Sequence, residues 1–147
     1  MKRNLLILVM GIVTLPVIAN NLPPFFSDVK EAQLKAAEEG KSILMVFAGS
    51  DWCKPCIQFK KEILESPEFE KFAEEELVIL YLDFPAKKKN RLSAEQTAHN
   101  EALAAKFNKD GSFPKALLMD ADLDLKKEVK FSNQLPSDFI QTCKENL

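Results

Sequence analysis

The stretch Ser50-Asp51-Trp52-Cys53-Lys54-Pro55-Cys56 (SDWCKPC, residues 50–56) decides how the rest of the chain is read. Two cysteines stand two residues apart, behind a tryptophan and around a lysine and a proline. A pair with this spacing can hold a metal, close a structural staple, or open and close as a working disulfide. Its flanks begin to discriminate. Ile43–Phe47 (ILMVF) is a continuous apolar run of strand length, as expected for a strand buried on both faces. Ala48–Asp51 reads as a turn. From Cys53 onward, Cys56, Phe59, Ile63 and Leu64 recur at helical spacing. The pair therefore sits where a buried strand gives way to a helix.

That position carries chemistry. The first cysteine lies at a helix N-terminus, where free N–H groups and the helix dipole favour negative charge. This stabilises the thiolate and lowers the pKa of Cys53, and Lys54 lowers it further. Cys56 is one turn inside the helix, near enough to close a disulfide but less accessible. Cys53 is thus the expected nucleophile and Cys56 the resolving thiol. Pro55 fixes φ in the first turn, where its missing N–H costs little, and Trp52 can shield one side. The metal reading needs more ligands, since structural zinc usually takes four. The chain offers only Cys143 and a single His99, placed mid-helix. A staple across two residues closes a very small loop and gains little from loop entropy.

Outward from the motif, the chain begins MKRNLLILVMGIVTLPVIANN. Lys2 and Arg3 precede an apolar run, Leu5–Ala19, interrupted only by Thr14, and small residues close it. This reads as a secretory signal peptide over 1–19, cut after Ala19. The alternative, an uncleaved anchor, asks for about 20 apolar residues, more than this run supplies. Cleavage leaves 128 of the 147 residues, enough for one domain with its own core. Losing Lys2 and Arg3 takes the net charge from −2 to −4, a poor balance for binding nucleic acid. In an exported chain disulfides can persist. Cys53, Cys56 and Cys143 are odd in number, so they cannot all pair within one molecule.

Residues 20–27 read as a flexible lead-in around Pro23-Pro24, and 28–147 as the domain. A helix capped by Ser27 or Asp28 runs to Glu39, with Val29, Ala32, Leu34, Ala36 and Ala37 as its apolar face and Gly40 as its stop. Ser66-Pro67 opens another, with Phe69 and Phe72 inward. Leu77–Phe84 is a second apolar strand. Lys87–Arg91 reads as a solvated basic loop. Ser93 and Gln96 form a capping box for a helix through Asn108 whose buried stripe is Ala98, Ala102, Leu103 and Phe107. Ala116–Met119 and Lys126–Phe131 complete the strands, with a polar turn over Asp120–Asp124. A closing helix from Pro136 or Ser137 carries Phe139, Ile140 and Cys143. Strands alternating with helices predict a parallel core, and the short last connection predicts an antiparallel hairpin at one edge.

With Trp52-Cys53-Lys54-Pro55-Cys56 after an apolar strand, and Phe113-Pro114 before another, the chain resembles the thioredoxin-fold disulfide oxidoreductases. The strings GSDWC, YLDFP and GSFP are most similar to the exported bacterial Dsb-type members, in particular their small chlamydial reductases. The resemblance spans roughly residues 28–146. It implies a central mixed four-stranded sheet flanked by helices. It also implies a cis Pro114 facing the cysteines, shaping the peptide-binding edge and, having no N–H, helping to keep metal off the thiols. Two departures stand out. The thioredoxin pattern has a buried aspartate in the strand before the motif, whereas Met45-Val46-Phe47 has none, and Asp51 is expected to be exposed. Phe113 is larger than the usual residue before the proline and is expected to alter substrate fit.

Other signals read as structural. Asp120, Asp122 and Asp124 start like a calcium loop, but Leu125 and Phe131 stand where Gly and Glu are required. His99 reads as a surface residue. Cys143 reads as a small inward hydrophobe, with a third redox thiol or a dimer handle as the alternative. The expected function is a periplasmic thiol–disulfide oxidoreductase that reduces protein disulfides, monomeric, without metal or cofactor, and recharged by a membrane electron donor. An oxidase or isomerase of the same fold, a non-catalytic binding module and a zinc module are the competing readings.

Overall fold

The structure, a computed structural model, describes residues 25–147. The signal segment and residues 20–24 of the lead-in lie outside the described residues. The first helix, α1 (Val29–Glu39), is capped by Asp28, whose Oδ1 accepts from the Lys30 and Glu31 amides at 2.8 and 3.0 Å. It ends at Gly40, whose left-handed φ of 66° a side chain would disfavour. Of its expected apolar face, Ala32 and Ala36 are buried but Leu34 and Ala37 are exposed. Two alanines let the helix lie close on the sheet, leaving the larger Leu34 outside the contact.

Strand β1 (Ser42–Ala48) is buried along its whole length, as a central strand must be. It leads to α2 (Lys54–Phe59), then directly to a π-helical turn, Lys60–Leu64, in which the Glu65 amide reaches back to the Lys60 carbonyl. The wide turn rotates the chain enough to bury both Ile63 and Leu64. Ser66 caps α3 (Pro67–Glu76), which buries Phe69 and Phe72. Then come β2 (Leu77–Asp83), a 3₁₀ turn (Lys88–Asn90), α4 (Ala94–Phe107), β3 (Lys115–Met119), β4 (Leu125–Glu128) and α5 (Pro136–Lys144), with Phe139, Ile140 and Cys143 buried.

The sheet is mixed and four-stranded, ordered β2-β1-β3-β4. β1 and β2 are parallel (Val46 beside Tyr81), but β3 runs antiparallel to β1 (Val46 beside Ala116). This corrects the expected parallel core. Residues 84–93 and 108–114, on either side of α4, return the chain to the sheet end it left, so β3 starts beside Phe47 and runs back. β4 pairs antiparallel with β3, as the short connection predicts, through a register shift at Leu118/Met119. The expected fourth strand reached Phe131, but pairing stops at Glu128. Beyond it Val129 donates once more to the Ala116 carbonyl (2.9 Å), and then Val129 and Phe131 turn into the core beneath α2.

The alternation of a pleated strand divides the core. Leu44, Val46, Leu77, Ile79 and Leu118 face α2, α3 and α5, and this layer contains both motif cysteines. Ile43, Met45, Phe47, Leu80, Leu82 and Leu117 face α1 and α4. The lead-in's last residues are docked. Phe26 bridges the outer edge of β2 through both its amide and its carbonyl (2.8 Å each), and Phe25 stacks on Tyr81 with ring centres 5.6 Å apart.

Helix α4 docks one step away from its expected stripe. Ala98 and Ala102 are exposed, while Asn100 is buried and Leu103, Ala104 and Phe107 pack inward. A hydrophobic pattern cannot anticipate a buried asparagine. Here its Nδ2 donates to the Asp83 carbonyl (2.9 Å), tying the helix to the end of β2. Ser93 Oγ accepts from the Gln96 amide, but the Gln96 side chain donates to the Ser27 carbonyl and Asn100 instead of closing the capping box. His99, expected at the surface, is half-buried. Its Nε2 accepts from the Val29 amide (3.1 Å), so its Nδ1 carries the proton facing Asn100 Oδ1.

Candidate active site

Cys53 and Cys56 are joined in a disulfide with Cα atoms 5.2 Å apart. Cys53 is the N-cap of α2, and its Sγ accepts from the Cys56 amide at 3.2 Å. An N–H aimed at that sulfur is the local feature that would stabilise a Cys53 thiolate once the bond is opened. Cys53 is 5 % exposed and Cys56 1 %, so Cys53 is the more accessible residue of the pair. Lys54 and Pro55 are exposed beside it, Pro55 within the first turn.

Trp52 lies half exposed over the site. Its indole N–H donates to the Phe84 carbonyl (2.7 Å), and its ring meets Phe113 edge-on with centres 5.5 Å apart. Phe113 in turn meets Phe84 at 5.4 Å. The large residue before Pro114 thus serves as the floor for the tryptophan. A Cβ on Gly49 would overlap the Trp52 ring, which explains a glycine at that point of the turn. The Phe113–Pro114 bond is cis, as the resemblance implies. Sequence reasoning missed Ile57, which is 46 % exposed one helical turn after Cys53. Its signal was an apolar residue set off the buried stripe of Cys56, Phe59 and Ile63.

The loop before the cysteines is stitched to the far end of β2. Ser50 donates from its amide and hydroxyl to the Asp83 carboxylate (2.9 and 2.6 Å). Asp51 is half-buried, not free as expected. Its carboxylate accepts from the Ala86 amide (2.9 Å), the Lys87 amide (3.0 Å) and Asn90 Nδ2 (2.8 Å). The Ala86 amide above all holds its pKa below the ordinary carboxylate value. A depressed folded-state pKa means that this contribution to stability is present above the unfolded value, about 3.9, and is lost as pH falls through the lower folded value. Acidification below about pH 4 is therefore expected to release the 86–90 segment first. Hydrogen exchange at the Ala86 and Lys87 amides measures this, and unchanged protection down to global unfolding would refute it.

No acid lies in the strand beneath the pair. Met45 and Phe47 face the opposite layer, and Val46, on the cysteine side, is apolar. Tyr81, beside Val46, turns to the cysteine layer, and burial pushes its phenol up to about 12, so it stays neutral. Cys143 is fully buried under α5, and burial pushes its thiol up to about 12. Among the described residues no group of three or more His, Cys, Asp or Glu is arranged to hold a metal ion. Asp120 instead closes its own turn, accepting from the Asp122 and Asp124 amides.

A disulfide capping a helix after a buried strand, with a cis proline immediately before β3, defines the class. The chain belongs to the thioredoxin-like family, whose domain model matches residues 29–128. Within that family it is similar to the Dsb-type proteins. It is 37 % identical over 109 residues to the disulfide bond reductase DsbH of Chlamydia pneumoniae, covering 74 % of this chain and 63 % of that one. It is 32 % identical over 111 residues to the thioredoxin-related protein DsbJ of the same organism, covering 75 % of this chain. The chain spans less than two thirds of both relatives, 63 % and 31 %. The solved structure of a DsbH oxidoreductase superposes with a TM-score of 0.77 at 30 % identity, covering 99 % of this chain and 94 % of that one.

Proposed function

We propose that the protein is a thiol–disulfide oxidoreductase that reduces disulfides in exported proteins. The observation that carries this reading is the Cys53–Cys56 disulfide at the start of α2, with the more accessible cysteine at the cap. In the reduced protein the Cys53 thiolate attacks one sulfur of a substrate disulfide. The other leaves as a thiolate and takes up a proton. Cys56 then attacks Cys53 Sγ, expelling the second substrate thiol and closing the bond. Two electrons pass from the dithiol to the substrate, so no cofactor is required, and a membrane partner must return them. Trp52, Pro55, Ile57, Phe113 and Pro114 form the apolar rim on which the substrate chain lies, and Lys54 adds charge beside the nucleophile.

The reducing direction is supported by the Lys-Pro dipeptide between the cysteines and by the name of the DsbH relative. The only histidine is engaged at α1, so no imidazolium stands beside Cys53 to trap the thiolate. Export to the periplasm is supported by the leader-like first 19 residues. The test is the equilibrium potential of the pair in the purified protein. A value near thioredoxin's, about −270 mV, is expected; one near that of the oxidant DsbA, about −120 mV, would make the protein an oxidase.

A further inference from the structure

The chain is acidic overall, with net charge −2, yet four of its 20 basic residues, Lys87, Lys88, Lys89 and Arg91, fall within five positions. In an unconstrained loop these would be a solvated run. Here they are not unconstrained. The Asp51 carboxylate, two residues before the nucleophile, binds the Ala86 and Lys87 amides and Asn90, and Lys88–Asn90 form a 3₁₀ turn. The basic loop is thereby held against the active-site turn. None of its four cations forms an ion pair with a carboxylate among the described residues. Two acids near the loop are already engaged: Asp51 by backbone amides and Asn90, and Asp83 by Ser50. A cavity of about 260 Å³ opens beside the loop, lined by Phe84, Pro85, Arg91 and Leu92 and by two acids, Asp83 and Glu101, so the cationic surface is the loop itself and not the cavity. Phe84 is also the residue whose carbonyl holds Trp52.

We propose that this loop forms a docking rim for an acidic polypeptide segment flanking the disulfide of the protein substrate. The inference deepens the oxidoreductase reading and rests on it. Acidic side chains meet Lys88, Lys89 and Arg91 while the substrate cystine lies at Cys53. Charges of this kind, exposed at a rim, act chiefly on the rate of encounter and are screened by salt.

The test compares three cystine-bridged peptides that differ only in flanking residues: acidic, neutral and basic. The second-order rate constant of their reduction by the dithiol protein is measured at low and high ionic strength. At low salt the acidic peptide is expected to react about tenfold faster than the neutral one and the basic one slowest, with the spread collapsing at about 0.5 M salt. The triple variant Lys88→Gln, Lys89→Gln, Arg91→Gln is expected to lose the preference. The triple variant Lys126→Gln, Lys127→Gln, Lys130→Gln, on and just after the far edge strand β4, makes the same change in net charge and should keep it. Equal rates for acidic and neutral peptides, or a preference that survives the triple variant, would overturn the inference while leaving the redox chemistry standing. Failure to reduce even the neutral peptide would overturn both. Co-sedimentation with anionic phosphatidylglycerol vesicles through the same three residues, without peptide preference, would assign the rim to a lipid surface and reject the peptide.

Discussion

Cys56→Ser is expected to react once with a substrate disulfide and stop, accumulating a mixed disulfide on Cys53, whereas Cys53→Ser should form none and reduce substrates no faster than buffer. The asymmetry follows from the geometry. Cys53 is the more exposed residue of the pair and its sulfur accepts an N–H from the helix, while Cys56 lies deeper, as the proposed roles of nucleophile and resolving thiol require. Without Cys56 the linked substrate has no neighbouring thiolate to expel it. Cys143 cannot stand in, because it is fully buried with its thiol pushed up to about 12. Non-reducing electrophoresis with peptide mapping checks both variants. Trapping on Cys56 instead of Cys53 would reverse the assigned roles. No trapping by either, with partners still bound when both cysteines are absent, would favour a binding module over a catalyst.

Phe139→Ala is expected to destabilise the fold by about 3–5 kcal/mol. Phe139 is fully buried on α5, between Phe59 (ring centres 5.2 Å) and Phe69 (5.9 Å). Phe59 also meets Phe131 at 5.1 Å. Removing the central ring leaves a cavity whose walls belong to α2, α3 and α5, and aromatic edge contacts are lost with the buried area. Against a typical total stability of about 5–15 kcal/mol, a loss of this size should lower the midpoint of thermal unfolding by roughly 10–20 °C. Calorimetry measures it directly. A shift of only a degree or two would mean that the neighbouring phenylalanines refill the space. Because Cys53 caps α2, the same variant should also broaden the hydrogen-exchange profile of the active-site turn.

Much of this protein is written in local signals. The disulfide pair, the buried strand before it, the helix after it, the serine cap at Ser66 and the stop at Gly40 each depend on residues a few positions apart. Periodicity and capping chemistry act at that range, so sequence alone determined them. The inward placement of Cys143 was legible for the same reason, as was the polar turn at Asp120. The cis Pro114 came from resemblance to a family, not from spacing.

What only the tertiary structure decided rests on contacts between distant positions. The antiparallel return of β3 depends on which end of the sheet α4 delivers the chain to, and strand alternation carries no such direction. The face of α4 is chosen by one asparagine bonded to a carbonyl 17 residues earlier, against the hydrophobic pattern. Trp52 is oriented by a carbonyl 32 residues away, and Asp51 is drawn from solvent by Asn90, 39 residues on. Hydrogen bonds of this kind satisfy particular groups at particular places, and a polar residue's partner has no period in the sequence. The chemistry of the site was thus set by seven consecutive residues, while its surroundings, including the basic rim beside it, were set by where the fold brought the other strands and loops.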